Sequence, residues 1–388
     1  MRQRLDGAAF QTVTSVGMAV ETDVLIVGGG IAGASLGARL AAHKRVTIIE
    51  AEDLCGRHAT GRSAAFWQAS LGGATAERRL SLASKPMFDA GWPGSDTALL
   101  RHRGALHLTW EGRTEFDGAD DLPPGYAVNL IDRQELDRLI PALREHWTGA
   151  WWEPSCADIE VAAFHAACLA AVRRSGGIVH TDAEFVSAVR GNGEWVAQTA
   201  AGELRATVLV NTAGAWADTV ARRAGVAPLA LEPRRRTVVQ LRVDRSGLKD
   251  LPFVTDLHES FYFKGEGDRS VWVCPLDETL VDPCDAAPEE IDVAVAIDRF
   301  EQAVGWKVEA VERKWAGLRT FAPDRHMLFG FDPEAEGFFW CAGQGGMGIQ
   351  TAPAASLLCA SLIQGEALPV ELEGIEPTDF APDRLRGL

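Results

Sequence analysis

The stretch TDVLIVGGGIAGASLGARLAAHKRVTIIEA, residues 22 to 51, constrains the fold more than any other part of this 388-residue chain. Val24 to Val27 is an apolar, mostly β-branched run, as a strand buried on both faces of a parallel sheet must be. The turn Gly28-x-Gly30-x-x-Gly33 then opens a helix, and a second apolar strand ends at Glu50, 22 residues beyond Gly28. Gly28 permits the tight turn, Gly30 lets a pyrophosphate approach the backbone, and Gly33 lets the helix pack on the strand. The helix start offers phosphates free N–H groups and a partial positive charge. Glu50 accepts from ribose hydroxyls and repels a 2′-phosphate, which disfavours NADP. Three glycines alone say little; the strand-turn-helix-strand context and the distal acid make this a dinucleotide site. FAD and NAD are both open as its occupant.

The length exceeds what one simple core needs and suits two domains. With 47% hydrophobic and 24% charged residues, the chain reads as packed and globular rather than disordered. A formal charge of −16 disfavours nucleic acid, and the one dense basic run, Arg234-Arg235-Arg236, is too short to reverse that. Seven cysteines, odd in number and never spaced as CxxC, give no zinc or other metal site and no disulfide framework, so a reducing cytoplasm is expected. No apolar stretch reaches the roughly 18 residues of a membrane helix. Residues 1 to 17, ahead of Met18, carry Asp6 and Gln11 and no continuous apolar core, so they read as a tail without a signal peptide.

Helices are expected at AERRLSLASKPMFDA, at IDRQELDRLIPALRE with a capping-box-like start from Asp132 and Glu135, at EVAAFHAACLAAVRRSGG, and over 289 to 303. Between them lie strand patterns, including the buried run Thr207 to Val210 and several strands over 233 to 280. The expected architecture is α/β: a Rossmann-like domain from 21–100, 150–230 and 318–388, after a tail at 1–20. A mostly antiparallel β substrate domain, α+β in character, is inserted as 101–149 and 231–317.

A second glycine cluster, Gly343 to Gly348, joins the strand Phe338 to Cys341 to an Ala- and Leu-rich helix, another place where N–H groups face an anion. A nicotinamide enzyme has no need of it; a flavin enzyme does. Together with DVLIVGGGIAGAS, TGRSAA, VLVNTAGAWAD, WAGLRTF, EGFFWCAGQGGMGIQTAP and FAPDRL, it makes the chain resemble the D-amino-acid oxidase and glycine oxidase (DAO) superfamily of FAD enzymes over about residues 20 to 385. Within that superfamily it is most similar to the bacterial D-arginine dehydrogenases.

The resemblance implies noncovalent FAD, there being no cysteine in WAGLRTF. It places the cofactor against Gly28, Gly30, Ile31, Ala32, Gly33, Glu50 and Ala51. Arg62, Ser63 and Ala64 would form a flavin wall, with Val186, Ala213, Gly214 and Trp216 near the adenosine half. Gly345, Gly346, Met347, Gly348, Ile349 and Gln350 would border the flavin's pyrimidine edge, beside Arg319. Arg319 is implied to anchor a substrate carboxylate, which the planar guanidinium fork suits. Tyr262 and Arg236 would support it, Arg236 sharing a strand face with Arg234 while Arg235 points away. An acidic neighbour would be the other use for Arg236. No side chain reads as a general base, and His258 reads as an exposed loop histidine. The implied chemistry is hydride transfer from Cα to flavin N5, with the imino acid then hydrolysing to a 2-oxo acid and ammonia.

Where the D-arginine enzymes place a glutamate on the substrate guanidinium, this chain has Ala105, and residues 101 to 110 contain no acid. Phe66, Gln68 and Leu71 stand where the substrate-side residues would be, with Trp67 facing the core and Gly346 beside the substrate. An apolar or aromatic D-amino acid is therefore expected as substrate, with arginine and lysine poor. O2 or a respiratory quinone would reoxidise the flavin. A sarcosine, glycine or other secondary-amine oxidase is the alternative. From another class, the chain would be a flavoprotein subunit of an electron-transfer complex.

Overall fold

The computed structural model describes residues 20–72 and 75–386; the expected tail lies outside them apart from Val20. Strand Val20–Val27 is central to the first sheet. It runs parallel to Val46–Ile49 on one side and to Gly202–Asn211 on the other, with Ile178–His180 parallel beyond Val46–Ile49. The far half of Gly202–Asn211 pairs in parallel with Phe338–Ala342, and its near half forms an antiparallel meander with Glu194–Thr199 and Phe185–Gly191.

The alternation of the central strand builds two cores. Val24 and Ile26 pack beneath helices Ile31–Leu40, Ala76–Asp89, Val161–Arg174 and Gly348–Gln364, while Leu25 and Val27 face Phe185, Trp195 and Trp340. Val24, Leu25 and Ile26 are wholly buried, each such side chain contributing roughly 1.5–3 kcal/mol. The helix boundaries follow local chemistry. Asp132 accepts from the N–H of Glu135 at 2.9 Å to start Arg133–Leu139, as its sequence position predicts. Gly365, with φ +68°, ends Gly348–Gln364.

The second sheet has nine strands and is antiparallel except where Phe253–Asp256 runs beside Ala105–Leu108. Its longest pair is Glu232–Val243 with Val308–Phe321. Strand Trp147–Glu153 lies within it, and Val308–Phe321 carries the chain out of it, so residues 150 and 318 both fall inside strands. Neither expected boundary falls in a loop: Gly149 and Gly317 beside them lie within strands. A third, small sheet, Phe66–Trp67, Ala157–Ile159 and Leu100–His102, sits between the two. Asp158 accepts from Arg101, Arg103 and Lys264 at 2.6, 2.8 and 3.1 Å, and the bond from Lys264 ties the small sheet to the second.

Candidate active site

A cavity of about 940 Å³ opens at the carboxyl ends of the parallel strands, where Val27, Ile49 and Thr212 line it, and continues beneath the second sheet to Arg319 and Tyr262. This is where open α/β sheets bind their ligands. Gly28 has φ +111°, and a Cβ on it would lie 2.6 Å from Thr212 O. Gly30 lines the cavity, and its missing Cβ has only Thr60 Oγ1 close by, at 3.2 Å. The glycine turn is held from two sides. Glu50 Oε2 accepts from the N–H of Gly29 at 2.8 Å, and Thr60 Oγ1 accepts from that of Ile31 at 2.9 Å. Buried His165, whose charged form burial disfavours, donates from Nε2 to Gly29 O at 2.8 Å. Neither Thr60 nor His165 stands out in the sequence.

Most of the expected cofactor residues share this cavity. Ile31, Ala32, Ala51, Ser63, Ala64, Ala213, Gly214 and Trp216 line it, as do Gly345, Gly346, Met347, Gly348, Ile349 and Gln350. Three are placed differently. Gly33 does not line the cavity: a Cβ there would sit 2.0 Å from Gly28 O, so this glycine serves helix packing alone. Val186 is 53% exposed and outside the cavity, because the register slips between Phe185 and Ser187; Ala183, Glu184 and Phe185 line the cavity instead. Arg62 reaches the cavity, but its guanidinium is occupied by Asp285 and the carbonyls of Ala286 and Ala316, so it braces the wall.

The donor set fits a flavin dinucleotide. The cleft is continuous from Glu50 past the bare glycine backbone to Gln350, and several polar atoms along it are buried without partners among the described residues: Gln68 Nε2, Gln350 Nε2, Thr320 Oγ1, and Arg236 Nε and Nη1. A ligand's acceptors would satisfy donors of this kind.

At the inner end, Arg319 lines the cavity and has no hydrogen bond or ion pair among the described residues. Burial first, then repulsion from Arg236, lowers its proton affinity. Both effects are relieved by an anion in the cavity. Arg236 donates from Nη2 to Glu278 Oε1 at 2.8 Å, so it takes its acidic neighbour while still facing the cavity. Arg235 points the other way, to Glu289 and Asp292, as strand alternation requires. Tyr262 is buried, and its hydroxyl is held neutral well above the usual tyrosine range, mainly by burial. Phe66 packs against Phe253 and Tyr262 with ring centroids 4.2 and 5.7 Å away, and Gln68 and Leu71 line the same end. Trp67 is in the core, donating to Ser81 O. His258 is exposed, at the rim beside Glu259.

A Cβ on Gly346 would fall 2.9 Å from Arg319 Nη1. Gly346→Ala should therefore keep FAD but push the guanidinium aside, lowering kcat/KM by roughly 10- to 100-fold in steady-state assays.

Ala105 is fully buried and does not line the cavity. Its cross-strand partner is Glu153, which supplies the acid that residues 101 to 110 lack. Glu153 accepts from Ala69 N, Ser70 N, Ser70 Oγ, Ser155 Oγ and His107 Nε2. Burial pushes its carboxyl up, but His107, Ser70 and Ala69 outweigh burial and hold it below the usual range. Glu77, which accepts from Met327 N and His326 Nδ1, is likewise held low against burial. Both carboxylates thus stabilise the fold fully above the unfolded carboxylate value of about 4.5 and lose that stabilisation as pH falls below it. Thermal melts should hold a plateau from about pH 8 to 6 and decline progressively below about pH 4.5.

Among the described residues no His, Cys, Asp or Glu cluster could hold a metal, and no helix is long and apolar enough to cross a membrane.

A glycine-turn sheet, a cavity of about 940 Å³ along it and an arginine at its inner end that no described residue pairs fit a nucleotide-dependent oxidoreductase. The DAO family, described as FAD dependent oxidoreductase, matches residues 23–362, and the chain belongs to that family. It is an FAD-dependent oxidoreductase. The glycine oxidase of Geobacillus kaustophilus is 24% identical over 371 residues, covering 90% of this chain and 95% of that protein. Its crystal structure superposes with a TM-score of 0.76 over 92% of this chain and 98% of that one. L-proline dehydrogenase from P. horikoshii has a TM-score of 0.78 at 20% identity, covering 95% and 99% of the two chains. L-amino acid deaminase from Proteus vulgaris has a TM-score of 0.76 at 15% identity, covering 99% of each.

Proposed function

We propose that the chain oxidises a D-amino acid with an apolar or aromatic side chain to the imino acid, which water hydrolyses to a 2-oxo acid and ammonia. The observation that carries this reading is Arg319, an arginine in the cavity with no ion pair among the described residues. It is suited to grip a carboxylate with both N–H pairs, assisted by Arg236 and the neutral Tyr262 hydroxyl. Phe66, Leu71 and Phe253 offer an apolar wall to the side chain. Glu153 is saturated by its donors and leaves no oxygen for a guanidinium, so D-arginine and D-lysine are poor substrates in this reading.

FAD, held noncovalently, would supply the two-electron acceptor, with O2 or a quinone as the oxidant. Gly28, Gly30 and Glu50 would hold its adenosine and pyrophosphate, and the Gly345–Gln350 turn its ring. The remaining work of the protein is positioning, since no side chain beside Arg319 is placed as a general base. The protein acts in the cytoplasm.

A second reading, oxidation of glycine, sarcosine or another secondary amine, draws support from the glycine oxidase likeness over 90% of the chain. Anaerobic bleaching of the purified yellow protein separates the two. The first reading expects bleaching by D-Phe or D-Met and slow bleaching by D-Arg. Bleaching by sarcosine or glycine alone, or by D-Arg as fast as by D-Phe, would overturn it.

A further inference from the structure

His107 lies on strand Ala105–Trp110, is 6% exposed and lines the cavity, packed against the tilted ring of Phe116 at 4.4 Å between centroids. Its Nε2 is 3.2 Å from Glu153 Oε2. The carboxylate's other partners, the N–H groups of Ala69 and Ser70 and the hydroxyls of Ser70 and Ser155, are donors or can act as such. An ionised carboxylate only accepts, so a proton of this pair sits on Nε2; in the neutral form of the ring, the form this inference concerns, Nδ1 keeps a lone pair. Nδ1 has no partner among the described residues. The wall formed by Phe66, Leu71, Phe116 and Phe253, with Gln68, Ser70 and Thr255 among them, thus carries in that form an imidazole acceptor, its tautomer fixed by a buried acid on the neighbouring strand. The arrangement has no use in gripping a carboxylate, which Arg319 serves, nor in holding the dinucleotide, whose residues lie along the other sheet.

We propose that His107, oriented by Glu153, is a specificity-determining residue that accepts a hydrogen bond from a donor on the substrate's side chain. The preferred substrate is then an aromatic amino acid with a distal O–H or N–H rather than a purely apolar one. This rests on the reading of the site as an amino acid oxidoreductase. A pocket that commits a buried polar atom to a substrate donor discriminates against the analogue lacking it, because the atom is then left unpaired.

The test uses the FAD-loaded enzyme under anaerobic conditions, following flavin bleaching by tyrosine, O-methyltyrosine, 4-aminophenylalanine and phenylalanine, D and L enantiomers in parallel. The expected result is a kcat/KM at least tenfold higher for the two donor-bearing substrates than for phenylalanine and O-methyltyrosine. In His107→Leu the ratio should fall to within about threefold of one. Equal rates for tyrosine and phenylalanine in the wild type, or a tyrosine preference that survives His107→Leu, would overturn the proposal and leave the amino acid reading standing. Absence of bleaching by any amino acid or N-methyl amine would overturn both. The wild-type comparison needs no variant, so poor folding of His107→Leu does not remove the test.

Discussion

Arg319→Ala is expected to lower kcat/KM for the amino acid substrate by about 10³- to 10⁴-fold, equivalent to about 4–5.5 kcal/mol of lost transition-state stabilisation. A carboxylate held by a planar fork is fixed in position as well as bound, and losing the fork costs both the charge-assisted bonds and the orientation of the reacting carbon. Arg236 cannot substitute, since Glu278 holds its Nη2 and partly neutralises it. Arg319→Lys should recover only a small part, because a point charge does not reproduce the two parallel bonds. The same variants make a second measurement informative. Arg319 has no ion pair among the described residues, so removing it relieves desolvation and repulsion from Arg236; the melting temperature should stay level or rise while activity collapses. Wild-type turnover in Arg319→Ala, or a lowered melting temperature with normal turnover, would show that this arginine serves the fold and not the substrate.

Gly33→Val should yield protein with less than about a tenth of the wild-type FAD and a markedly lower melting temperature. A Cβ at this position falls 2.0 Å from Gly28 O and 2.7 Å from Thr212 Oγ1. The first of these is backbone, which cannot swing away as a flexible side chain does, so the start of helix Ile31–Leu40 must retreat from the strand. Overpacking of this kind typically costs 1–3 kcal/mol, occasionally more. It also breaks the bonds by which Thr212 Oγ1 holds the carbonyls of Val27 and Gly28. Gly30→Ala is the control: its Cβ meets only Thr60 Oγ1, at 3.2 Å, so the protein should melt near the wild-type temperature yet bind FAD poorly. The ratio of flavin to protein absorbance, read beside a thermal melt, separates the two. Equal FAD content in Gly33→Val and wild type would discard the packing argument.

The features legible in the sequence are those whose cause is local. The Gly28 turn needs a positive φ, Asp132 caps its own helix three residues on, and Arg234, Arg235 and Arg236 divide between two faces because strand side chains alternate. The misplaced residues fail where a local rule meets a distant one. Val186 was expected near adenosine, but the slip in register at Phe185 turns it to solvent, and a slip of one residue reverses which face a side chain takes. Ala105 was the expected site of a missing acid, whereas the pairing of its strand with Trp147–Glu153 sets Glu153 opposite it.

By itself the sequence determined the dinucleotide half of this protein: a strand, a glycine turn, a helix and an acid within 30 residues, each position required by backbone geometry that its neighbours dictate. Only the tertiary structure decided the substrate half. There His107 takes its proton-fixing partner 46 residues away, Arg236 its acid 42 residues away, and Arg319 is left with none among the described residues. The physical reason is that a turn is specified by the conformations of a few adjacent residues, while a buried charge is paired or left free by strand register and sheet packing, which depend on the whole chain.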